Sequence, residues 1–122
     1  MPPRQTPDDA EALLPLRPVE ALLLTMLSAG DRHGYGLRQD IIEHTGGRIA
    51  LEVGSLYRHI RRLEEAGLLA ESSGRAPPDE DERRIYYRLT PFGRRVLAAE
   101  MLRLRALVRL AEARRVIAPG RS

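Results

Sequence analysis

Arg58, Arg61 and Arg62 fall on one side of a single short segment, while Leu56, Ile60 and Leu63 recur at helical spacing on the other. Guanidinium groups are planar, permanently charged forks that pair with phosphate oxygens or with the acceptor edge of guanine. A helix that packs by one face, carries such forks on the other, opens on Gly54-Ser55 and stops at Gly67 has what entry into the major groove of double-stranded DNA requires. Ser55 is expected to cap this helix, and its hydroxyl and the free amides of the first turn to meet a phosphate, which brings Gly54 and Ser55 into the candidate site. Tyr57 sits at the border between the two faces, placed either to pack or to turn its hydroxyl outward.

The elements that must hold this helix can be read on either side of it. Pro18 suits the first turn of a helix in which Val19, Leu22, Leu23, Met26 and Leu27 line one face, and Gly30 closes it. Residues 32–47 read as a second helix with Leu37 and Ile41 inward and Gly46-Gly47 as its stop. His33 and Tyr35 stand at its start, where a helix N-terminus and an imidazole can hold a backbone phosphate. Residues 49–51 suffice for a short bridging strand. After Gly67, residues 68–72 can pair with residues 83–89, where Ile85, Tyr87 and Leu89 alternate with Arg84, Tyr86 and Arg88. The tip of this hairpin, residues 73–82, contains Gly74, Pro77, Pro78 and the acidic run from Asp79 to Glu82. Thr90-Pro91 then supplies a cap and a first-turn proline for a final helix of about 25 residues, roughly 37 Å long at 1.5 Å per residue.

That final helix carries Leu97, Met101, Leu104, Val108 and Ala111 at alternating spacings of four and three, the seam of a two-stranded helical contact, and a second apolar row of Leu102, Leu107 and Leu110. A preceding domain of this size cannot cover both rows, so a homodimer is expected. The organisation that follows is a flexible arm or short helix at residues 1–14, a winged helix-turn-helix domain at 15–90, a dimerisation helix at 91–117 and a tail at 118–122. The fold class is mainly α with a small β-wing.

Composition narrows the function further. The 122 residues allow one domain with a modest core, and the absence of cysteine excludes disulfides and thiolate metal sites and favours a cytoplasmic location. Residues 21–24 form too short an apolar run to cross a bilayer, and no signal peptide is expected. All 20 basic residues are arginine; residues 1–30 carry a net charge of −2 and residues 91–122 a net charge of +6. His33, His44 and His59 have no metal-ligand spacing, and Ser55 with His59 lacks the orienting groups of a nucleophile and base, so neither a metal, a cofactor nor an enzyme activity is expected.

Five motifs, in order, resemble the PadR family of bacterial transcriptional regulators: His33-Gly34-Tyr35-Gly36, Thr45-Gly46-Gly47, Gly54-Ser55-Leu56-Tyr57-Arg58, Leu63-Glu64-Glu65-Ala66-Gly67-Leu68, and the stretch from Arg84 to Gly93. The resemblance covers about residues 15–95. It implies a homodimeric repressor that binds an inverted-repeat operator through two winged domains, and it is closest to the shorter branch, in which a single C-terminal helix dimerises together with the N-terminal one. Tyr57 becomes a DNA-contacting candidate on this resemblance. Family wings are commonly basic near the tip, whereas the acidic run from Asp79 to Glu82 would repel phosphate, so Arg83 and Arg84 at the hairpin base are the better wing contacts, followed by Arg75. One phenylalanine and no tryptophan leave no obvious aromatic slot for a small-molecule effector, and the dimer interface stays open as a place for a ligand pocket. The rival reading keeps the winged fold as a protein-binding module with weak or lost DNA binding. A membrane-binding basic helix is disfavoured because Arg103, Arg105 and Arg109 lack aromatic anchors.

Overall fold

The computed structural model describes residues 6–72 and 85–120. Five helices and three strands follow the order α1 (Thr6–Glu11), α2 (Pro18–Leu27), β1 (Arg32–His33), α3 (Gly34–His44), α4 (Val53–Glu65), β2 (Leu69–Glu71), β3 (Tyr86–Leu89) and α5 (Pro91–Ala113). The periodic apolar residues form one core. Leu23, Leu24 and Leu27 from α2 meet Leu37 and Ile41 from α3 and Leu56, Ile60 and Leu63 from α4, with Leu68, Leu69, Tyr87, Val96 and Leu97 closing it. Burying each of the three α4 side chains contributes about 1.5–3 kcal/mol, enough to fix which face of that helix is left outside.

The helix stops are where glycine predicts them. Gly46 and Gly47 have φ of 61° and 80°, and the Gly47 amide reaches back to the Ile42 carbonyl at 2.9 Å. Gly67, with φ of 79°, ends α4 in the same manner, the Leu68 amide bonding the Leu63 carbonyl at 2.9 Å. Thr90 caps α5 as expected: its Oγ1 accepts from the Gly93 amide at 2.8 Å and donates to the Gly67 carbonyl at 2.7 Å. One threonine thus ties the start of α5 to the end of α4.

Three expectations are corrected. The sheet has three strands rather than two, in the order β1-β3-β2, with Arg32 opposite Tyr87, His33 opposite Tyr86, and Leu69, Ala70 and Glu71 opposite Leu89, Arg88 and Tyr87. Its extra strand comes from Arg32–His33, read from sequence as the beginning of the second helix; residues 49–51 form none. Side chains occupy the backbone groups there: the Ile49 amide donates to Thr45 Oγ1 at 3.1 Å, and Arg38 Nε donates to the Leu51 carbonyl at 2.6 Å. Finally, Ser55 is not the cap of α4. Glu52, with extended backbone, opens that helix three residues earlier without a side-chain cap, and Ser55 already lies inside the first turn.

The short helix α1 packs against α5, with Ala10 buried. Beyond it, the Leu16 amide donates to the buried Glu100 at 3.2 Å, and Arg103 closes on both oxygens of the same carboxylate at 2.7 and 2.9 Å. The Arg103 fork holds the Glu100 pKa below the usual carboxylate range, against the opposing effect of burial. Thr6–Glu11 and the turn after it are thereby moored to the first half of α5.

Candidate nucleic-acid interface

With Leu56, Ile60 and Leu63 buried, a turn of about 100° per residue puts Gly54, Arg58, Arg61 and Glu65 on the outer face of α4. Arg58 and Arg61 are both exposed. Arg58 Nη2 donates to Ser55 Oγ at 2.9 Å, so the serine orients the arginine instead of capping the helix. A Cβ on Gly54 would meet only Arg58 Nη1, at 4.0 Å, which leaves the front of the first turn open to an incoming group.

Tyr57 flanks this face toward α3. It is half-exposed, and its ring lies so close to Gly34 that a Cβ there would collide with the hydroxyl and ring carbons. Tyr87 of β3 is buried close to Glu64, Tyr57 and Arg61; burial first, then the Glu64 carboxylate, pushes its pKa up to about 12. Strand β2 of the wing packs directly against α4.

His33 and Tyr35 form a second group. His33 Nδ1 accepts from the Gly36 amide at 3.0 Å and so caps α3, while its ring meets Tyr86 edge-on at 5.2 Å and lies nearly parallel to Tyr35 at 6.4 Å. Tyr35 projects outward, its hydroxyl accepting from Gln39 Nε2 at 3.0 Å. Ser72 Oγ donates to Asp31, fastening the end of β2 to the turn before β1. Arg88, exposed on β3, adds a cation at the wing that was read from sequence only as part of an alternating strand. Arg75, Arg83, Arg84 and the acidic run from Asp79 to Glu82 lie outside the described residues.

Arg62 is placed differently from the other two arginines. Its Nε donates to Glu20 Oε2 at 3.0 Å, and His59 Nδ1 lies 2.8 Å from the same oxygen. Glu20 is 3 % exposed, at the start of α2. Glu20 was not singled out from sequence, and His59 was weighed there only as a metal ligand or as a base for Ser55: an acid in the first turn of a helix reads as a partner of the helix dipole, and its contacts lie far along the chain. Among the described residues no group of three or more His, Cys, Asp or Glu side chains could hold a metal ion, and no helix is long and apolar enough to cross a membrane.

Solved structures share this fold. A transcriptional regulator from Clostridium thermocellum is 26% identical with a TM-score of 0.66, covering 78% of this chain and 87% of that one. A PadR family transcriptional regulator from Eggerthella lenta is 28% identical with a TM-score of 0.62, covering 87% and 84%. Bacillus subtilis PadR, solved in complex with operator DNA, is 19% identical with a TM-score of 0.60, covering 72% of this chain and 49% of that one, and shares the winged-helix fold. An uncharacterized protein of Lysinibacillus sphaericus is 26% identical over 80 residues, 66% of this chain and 72% of its own length. Three core helices, a small antiparallel sheet and a long closing helix thus coincide with a family match over residues 23–99: this chain belongs to the transcriptional regulator PadR-like family.

Proposed function

We propose that this protein is a cytoplasmic, dimeric transcriptional repressor that binds an inverted-repeat DNA operator, with α4 in the major groove and the wing along the backbone. The observation that carries this reading is the division of α4 into a fully buried apolar face and an outer face bearing Arg58 and Arg61, within a winged frame. That Bacillus subtilis PadR was solved on operator DNA supports the same use of the fold here. Base discrimination falls to Arg58 and Arg61, and phosphate contacts to Gly54, Ser55, Tyr57, Arg62, His33, Tyr35 and the wing-base Arg83 and Arg84.

Dimerisation rests on α5. Leu97 lies in the core of its own domain, so the exposed apolar stretch begins at Met101 and includes Leu102, Leu107, Val108 and Leu110, of which Leu102 and Leu107 are 58% and 54% exposed. Leu104 and Ala111 are half-buried beside them. Such rows on a helix of about 35 Å are matched by a second copy of the same helix. An effector, where one exists, acts by favouring one separation of the two α4 helices over another.

The reading is tested by titrating the protein with random-sequence duplex DNA at about 50 and 200 mM salt, with the mass in solution measured on the same sample. The expected result is a dimer whose affinity falls by a decade or more between the two salt concentrations. A monomer, or binding that is absent or indifferent to salt, overturns it.

A further inference from the structure

A carboxylate nine-tenths or more buried is costly unless fully paired, and an apolar residue at the start of α2 would pack with no such cost. Glu20 is 3 % exposed, and its partners, His59 and Arg62, both come from α4, one turn apart. The two donors share one oxygen, Oε2. Arg103 shows the alternative: its Nε and Nη2 close on both oxygens of Glu100 as a full fork. Arg62 engages Glu20 through Nε alone, and its side chain stays 51% exposed. Its two terminal nitrogens have no partner among the described residues.

The position of that open end matters. Ser55, His59 and Arg62 stand at i, i+4 and i+7 and so share the flank of α4 that faces α2, while Arg58 and Arg61 hold the centre of the outer face. A helix lying in the major groove has base edges before its centre and a phosphate backbone along each flank. We propose that Glu20, with His59, is a positioning residue for DNA binding: it holds Arg62 by Nε so that the two terminal nitrogens are aimed at a backbone phosphate. The arrangement resembles no bare surface arginine, since the side chain is oriented before DNA arrives and loses little freedom on contact. This inference rests on the DNA-binding reading of α4.

The sign of one substitution separates positioning from simple electrostatics. Removing a negative charge beside a polyanion strengthens binding unless that charge was orienting a cation. Wild type, E20Q, R62Q and R62K are compared on a duplex enriched by the wild type from random DNA and on a scrambled duplex of equal length, across a salt series, with melting curves confirming the fold. E20Q is expected to weaken binding to both duplexes about tenfold, the loss of one charge-assisted contact. R62Q is expected to lower the salt slope by about one. R62K is expected to do the same although the charge is kept, because an ammonium seated on Glu20 presents no second edge. Unchanged or tighter binding by E20Q, or an unaltered slope in R62K, overturns the proposal. Should E20Q fail to fold, R62K decides alone, since it leaves Glu20 and His59 in place. Absence of salt-dependent binding by the wild type defeats the DNA-binding reading and this inference with it, whereas salt-dependent binding by the wild type that E20Q and R62K leave unchanged defeats only the inference.

Discussion

Arg58 and Arg61 project from α4 without an acidic partner among the described residues, and Ser55 braces Arg58 from within the same turn. A braced guanidinium at the centre of the outer face suits bidentate contact with guanine, so Arg58→Ala is expected to cost about 1–3 kcal/mol on an operator and much less on random DNA. Equal losses on the two, measured by anisotropy, would assign Arg58 to the backbone. The second residue-scale prediction concerns pH. Tyr87 ionises near 10 when unfolded and is pushed up to about 12 when buried. Its contribution to stability is complete below pH 10 and is lost as pH rises from 10 to 12, because only the unfolded chain gains from ionising in that window. Urea unfolding should show the wild type weakening there, and Tyr87→Phe should flatten that part of the profile. The outward-facing arginines of α4 were legible in sequence because charge and periodicity sit together in one short segment. Glu20 was not, because its role is defined by side chains some forty positions away.

Among the elements, α2 to α5 were legible from apolar spacing, glycine stops and the Thr90-Pro91 start, all local signals that tertiary packing reinforces. Strand β1 was missed because two residues carry no periodicity and are extended only through pairing with β3 far downstream. The start of α4 was misjudged because Ser55 has the right chemistry for a cap, while Glu52 has the extended backbone that opens the helix. The junction of α4, β2 and α5 allows a sharper test. A Cβ on Gly93 would run into the Leu68 carbonyl oxygen, a backbone atom that cannot turn aside. Gly93→Ala is therefore expected to destabilise the domain by about 1–3 kcal/mol despite the higher helix propensity of alanine. A melting temperature equal to or above that of the wild type would show that α5 does not approach β2 so closely.

In the whole molecule, the first half of α5 closes the core through Val96 and Leu97, and its second half leaves its apolar rows exposed. Under the dimer proposal, Leu107→Glu places like charges face to face and should yield a folded monomer by sedimentation with DNA affinity reduced by at least about tenfold, since two linked half-sites are replaced by one. A dimer that persists would move the interface elsewhere. Two-fold symmetry fixes the remaining geometry. In the proposed dimer, two α4 helices about 34 Å apart, one turn of DNA, would read the same sequence in opposite directions. The most direct test is selection of bound duplexes from a random pool by the full chain. The expected outcome is an inverted repeat with half-site centres about one helical turn apart; recovery of no consensus, with weak and uniform binding, would contradict DNA reading by α4 and leave the winged domain as a protein-binding module.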